Sequence, residues 1–229
     1  MDKKILLIWM SLLTMLAGAL NAISIIGYDA TTVSHVTGLV SKASVFVAIG
    51  SWEFAWGALR VILAFFLGAL LTGFITGERV FILRKRYGYI IISLGLLIIV
   101  PYFLPVEYAI LVFAFIMGMQ NGMIVSFKGI VVRMTHMSGN VTDLAVFLGY
   151  RLRGNKNEEL KTGLIPLIAI ISFLIGGILG ILLYQKIGNT IFFIMAGIYV
   201  AVGILYFITR TKCIDKNFDG ISDELEENA

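Results

Sequence analysis

Long apolar runs, charged only at their edges and repeated along almost the whole chain, are the feature that most narrows what this sequence can fold into. Residues 5–28, 59–78, 88–105, 107–127, 163–186 and 189–209 each form such a run. A stretch of about 20 apolar residues spans a bilayer core of about 30 Å as a helix. In lipid every backbone N–H and C=O must be bonded within the protein, which leaves helices or closed barrels as the spanning structures. The runs are far too long and too continuous for barrel strands. Composition agrees: of 229 residues, 59% are hydrophobic and 14% charged, against about 45–50% and 25% in a soluble domain. The expected class is an all-α integral membrane protein with six transmembrane helices.

Two further apolar stretches, 41–52 and 142–153, are too short to cross and read as re-entrant or interfacial helices. Each follows a phrase that occurs twice. The first copy is Ser34-His35-Val36-Thr37-Gly38, the second Thr135-His136-Met137-Ser138-Gly139, and they hold the chain's 2 histidines. Upstream of each lies an asparagine in an apolar run, Gly18-Ala19-Leu20-Asn21 and Gly118-Met119-Gln120-Asn121. Repetition at this scale marks one structural unit used twice. The unit is span, polar phrase, short helix, span, span. It divides the chain into a first half at 1–105, a second at 106–209, and a polar tail at 210–229.

A unit with an odd number of spans reverses direction on repetition, so the expected arrangement is a 3+3 inverted repeat. Inverted repeats are common in secondary transporters, whose substrate sites lie at the repeat interface. The polar residues of the repeat are therefore the candidate substrate-binding set: Asn21, Asn121, Gln120, His35, His136, Thr37 and Ser138. Asn21 and Asn121 fall near mid-membrane and serve either as interhelical glue or as the lining of a cavity. Thr37 and Ser138 are placed to cap the short helices. The two histidine phrases are expected toward opposite membrane faces, as symmetric gates or caps, unless both loops re-enter. Small-residue stripes Ala69, Gly73, Gly77 and Ser172, Gly176, Gly180 read as helix-packing surfaces.

With the N-terminus inside, only Lys42, Arg60 and Lys186 of the 18 basic residues fall outside, as the positive-inside rule requires. Both termini are then cytoplasmic. Lys3-Lys4, an apolar run and Ala17-Gly18-Ala19 also imitate a secretory signal. The repeat argues against cleavage, because the fourth span carries the matching glycine and asparagine.

No Ser/His/Asp set, HExxH or phosphate-binding glycine loop occurs, so an enzyme is not expected. The single Cys213 excludes an internal disulfide, and no cofactor is implied. In the tail, Asp215, Asn217, Asp219, Asp223 and Glu226 fit the oxygen-ligand spacing of a Ca²⁺ loop. A solvated acidic tail is the competing reading. The expected partners are the lipid bilayer and a small solute, with self-association left open and no nucleic acid. Beside the transporter stands a second reading, a non-transporting membrane scaffold or regulator whose tail binds Ca²⁺ or a partner.

Gly18, Asn21-Ala22, Thr37-Gly38, Gly118-Met119-Gln120-Asn121 and Ser138-Gly139-Asn140 together resemble the YoaK-like family, a domain of unknown function found in bacterial multi-span membrane proteins. The likeness covers about residues 5–210. It implies a bacterial cytoplasmic-membrane protein, a permease among the activities considered, and names no substrate. Members often carry an acidic residue where Asn21 stands and an asparagine where this chain has Leu39.

Overall fold

The computed structural model describes residues 3–28, 32–77, 84–123, 126–127, 130–131, 134–155 and 160–214. Eight α-helices account for most of it: α1 (Lys3–Gly27), α2 (Val36–Ala48), α3 (Trp52–Thr76), α4 (Lys85–Leu97), α5 (Val106–Met123), α6 (Met137–Leu152), α7 (Leu160–Ile187) and α8 (Ile191–Ile214). Short 3₁₀ turns extend α4 at Val100–Phe103 and join α7 to α8 at Gly188–Thr190. Apart from a two-residue antiparallel ladder, Ser126–Phe127 with Ile130–Val131, the architecture is the all-helical one expected.

The breaks have local causes. Gly50 at φ 76° turns the chain between α2 and α3, and Gly77 at φ 70° ends α3, in a left-handed region costly for side-chain-bearing residues. Gly188, at φ 57°, separates α7 from α8. Pro101 and Pro105 lack the N–H needed to continue α4. Five apolar segments are long enough to cross a membrane, and the last, the 50 residues Thr162–Thr211, contains both α7 and α8. Several boundaries shift from expectation: α2 and α6 start at Val36 and Met137, before the short apolar stretches, and α8 runs to Ile214. α3 starts seven residues earlier than the apolar run suggested, directly after the Gly50 turn, and α5 ends at Met123 rather than 127.

Residue contacts set the relative directions of the helices. Gly18 abuts Phe173 and Gly27 abuts Tyr184, so α1 and α7 run parallel. Gly68 meets Phe115 and Gly122 meets Thr72, so α3 and α5 are also parallel. Tyr28 stacks edge-on against Phe113 at 4.9 Å, while Gln120 donates to the Leu13 carbonyl at 2.6 Å. α5 therefore runs opposite to α1. α4 and α8 are antiparallel, with Gly88 against Phe207 and Gly95 against Ala196. One face of the bundle, called near, thus holds the starts of α1 and α7 and the ends of α3 and α5. The far face holds the reverse.

α1, α4, α5 and α8 form the centre, filled by Leu13, Leu20, Ile91, Leu94, Phe113, Ile116 and Tyr199. At its heart Gln120, wholly buried, donates to Leu13 and accepts from the Tyr199 hydroxyl at 2.7 Å. α3 and α7 flank this centre and expose Phe66, Leu70 and Phe74, or Leu174, Ile178 and Leu182. Apolar surface of this extent on a solvent-facing protein would aggregate; on a membrane protein it faces lipid.

Four glycines allow α1–α7 and α3–α5 to touch backbone to backbone. A Cβ at Gly18 would stand 2.1 Å from the Phe173 carbonyl oxygen, and one at Gly118 1.9 Å from that of Phe65. Gly176 and Gly68 are equally close to the carbonyls of Met15 and Phe115, at 2.0 Å each. Gly18→Ala or Gly118→Ala should lower stability in detergent by about 1–3 kcal/mol, because helix backbones must separate. Gly57→Ala, where the Cβ meets nothing within 4 Å, should be neutral or slightly stabilising. Equal melting temperatures for all three variants would contradict this packing.

Candidate functional site

The site begins with two amides. Asn21 Oδ1, on α1, accepts hydrogen bonds from Ser34 N at 3.2 Å and Ser34 Oγ at 2.9 Å. Asn121, on α5, repeats the arrangement with the other copy. Its Oδ1 accepts from Thr135 N at 3.3 Å, and its Nδ2 donates to Thr135 Oγ1. Ser34 and Thr135 each immediately precede a histidine. Both phrases are thereby drawn back alongside the helix that leads into them.

His35 and His136 then serve as N-caps of α2 and α6, with φ,ψ of −91°, 68° and −83°, 66°. Each imidazole folds over the glycine three residues on. A Cβ at Gly38 would lie 2.3 Å from His35 Cδ2, and one at Gly139 2.5 Å from His136 Nδ1. That contact explains the glycine of the phrase, which sequence reasoning quoted but did not account for. The capping role expected of Thr37 and Ser138 is not found. α2 and α6 begin at Val36 and Met137, and neither cap is a side-chain hydrogen bond. Thr37 and Ser138 are already second helical residues, where a hydroxyl points away from the free N–H groups; both are exposed.

Both phrases open into one cavity of about 980 Å³. Asn21, Asn121, His35, His136, Thr37 and Ser138 all line it, with Phe65 and Phe173 from the flanking helices. The expectation that the two histidine phrases lie apart, toward opposite faces, is therefore corrected. The physical reason is the asparagine tether, which pulls each phrase inward to the level where α1–α7 and α3–α5 meet. Among the described lining residues none is acidic, lysine or arginine; the surface is largely apolar, with polar groups supplied by both phrases.

Two other sequence readings come apart here. Gln120 is absent from the lining residues, because its amide is engaged by Leu13 and Tyr199 in the core. In the stripe Ala69, Gly73, Gly77 only Ala69 packs, its backbone lying against Gly118 and Gly122 of α5. All three line the cavity, and a Cβ on Gly73 would meet nothing within 4 Å. Gly176 and Gly180 do pack, against Met15 and Ala19. The contact glycine of α3 is Gly68, one residue before the stripe. The Ca²⁺-loop candidates Asp215, Asn217, Asp219, Asp223 and Glu226 lie outside the described residues. Among the described residues no group of three or more His, Cys, Asp or Glu side chains is placed to hold a metal.

A bundle of helices long and apolar enough to cross a membrane, with an apolar exterior, defines a multi-pass membrane protein. The model of the family described as "Protein of unknown function (DUF1275)" matches residues 9–205, and the chain belongs to that family. No curated protein and no solved structure matches it.

Asn21→Ala and Asn121→Ala should each cost about 1–3 kcal/mol through the polar groups left without partners. Amide hydrogen exchange in the first turn of α2 or α6, respectively, should accelerate in the same variant. Exchange unchanged in both would show that the amides do not hold the phrases.

Proposed function

We propose that this protein is a secondary transporter or permease for a small polar solute, built from two inverted halves, residues 1–105 and 106–209. The observation that carries the reading is the single cavity lined by both copies of the polar phrase. Equivalence of the halves is supported contact by contact. Gly18 meets the Phe173 carbonyl as Gly118 meets that of Phe65, and Gly176 meets Met15 as Gly68 meets Phe115. Asn21 holds Ser34 as Asn121 holds Thr135. The opposed directions of α1–α7 and α3–α5 supply the inversion. Two interchangeable halves provide two conformations of similar energy, one open to each side, as alternating access requires. Each short helix then acts as a re-entrant element, held at depth by its asparagine.

In this reading Asn21, Asn121, His35, His136, Thr37 and Ser138 contact the solute, and Gln120 supports them from the core. The near face, where Arg84, Lys85 and Arg86 stand, is cytoplasmic by the positive-inside rule, in the cytoplasmic membrane of a bacterium. No catalytic step and no cofactor is involved.

The test is counterflow into proteoliposomes with a panel of labelled small polar solutes. At least one solute should be carried, with initial rates lowered about tenfold or more in Asn21→Ala and Asn121→Ala, the equivalent of about 1.4 kcal/mol or more. Folded variants that transport at the native rate would remove the asparagines from the site. Absence of flux for the whole panel would favour a scaffold or regulator.

A further inference from the structure

The two halves agree closely in their helix seams and differ in how the cavity extends along α3 and α7. On α3 the lining runs from Phe65 through Ala69, Gly73 and Thr76 to Gly77 at the near end of the helix. Matching Gly68 to Gly176 and Phe65 to Phe173 places Gly177, Ile181, Tyr184 and Gln185 of α7 at the corresponding positions. None of those four lines the cavity. Where a Cβ on Gly73 would meet open space, its counterpart Ile181 is packed against the core. A Cβ on Gly177 would lie 3.6 Å from Ala22 Cβ, in ordinary contact. Among the described residues, the lining continues along α3 to Gly77 and along α7 includes only Phe173.

Three residues stand at the far end of the bundle. Tyr184 stands where α3 has Thr76, and its phenol oxygen lies 2.4 Å from where a Cβ on Gly27 would be. A glycine there leaves room for the tip of the phenol at the end of α1. The next residue, Tyr28, is 3% exposed and donates its hydroxyl to Asn189 Oδ1 at 3.0 Å, joining the end of α1 to the α7–α8 turn. At the near end Thr76 is small, and its hydroxyl is spent within its own helix on Thr72 O at 2.9 Å. The substituents at the two ends are therefore unequal, although the helices that carry them pack alike.

We infer that Tyr184, Tyr28 and Asn189 form the far gate of the cavity, and that the structure is the state closed at that gate and open toward the near face. The inference rests on the transporter reading and adds to it the residues that bar the far side. The near end of α3 is joined differently, by the Arg86 guanidinium donating to the Ile75 carbonyl at 3.1 Å.

The experiment uses the full-length chain with Cys213→Ala and a single reporter, Ser138→Cys, whose side chain is exposed in the cavity. A charged, membrane-impermeant thiol reagent is applied to each face separately, in right-side-out and inside-out vesicles. The reporter should react from the near face alone. Adding Tyr184→Ala should raise the far-face rate about tenfold, and Tyr28→Phe or Asn189→Ala, which remove one hydrogen bond, about fivefold. Retention of the near-face rate shows that each variant is folded, and Tyr28→Phe keeps the ring should Tyr184→Ala fail to fold. Native reactivity from the far face, or far-face rates unmoved by the folded variants, would overturn the gate and leave the transporter reading standing. A reporter unreactive from both faces would overturn both, since the cavity would then hold no water path.

Discussion

The arrangement depends on an amide placed inside an apolar helix and satisfied by the segment that follows it. An asparagine in hydrocarbon needs partners, because an unpaired polar group there costs several kcal/mol. Asn21 and Asn121 find theirs in Ser34 and Thr135, the residues just before the two histidines. Satisfying the amide and drawing the polar phrase inward are one event. That tether brings each phrase alongside the helix that precedes it and into the wall of the cavity.

Close backbone contact makes the rest possible. Helices in lipid associate through packing and not through the hydrophobic effect, and here the tight seams run through Gly18, Gly68, Gly118 and Gly176. These seams bind α1 to α7 and α3 to α5, each pairing a helix of one half with a helix of the other. The centre is held by a different device, the buried Gln120 bridging α1, α5 and α8. Its counterpart in the first half is Leu20, buried without a polar group. The halves are thus alike where helices touch across the seams and unlike in the core and at the far end, where Tyr184 stands opposite Thr76. Under the transport function proposed above, similarity would make two states accessible and difference would set which one is populated.

The repeated phrase was legible in the sequence as a phrase, and its partners were not. Asn21, Asn121, His35 and His136 could be named from repetition alone, because polar residues recurring in oil stand out. Gln120 stood out for the same reason, yet its amide turned inward to Leu13 and Tyr199. One residue along a helix rotates a side chain by about 100°, enough to exchange cavity for core. The Ala69–Gly73–Gly77 stripe was legible as small residues at helical spacing, and spacing does not say whether the space beside them is filled. Tyr184 gave no signal at all, since it belongs to no motif and lies far from both phrases.

The sequence by itself determined the class of protein and most of its long helices, because hydropathy is a local property that bilayer thickness and backbone bonding translate directly into structure. Only the tertiary structure decided that both phrases share one cavity, which small residues are contacts and which are open, and which end of the cavity is closed. Those depend on hydrogen bonds and packing between residues far apart in the chain: Asn21 with Ser34 across a loop, Gly18 with Phe173, and Tyr28 with Asn189 across 161 positions.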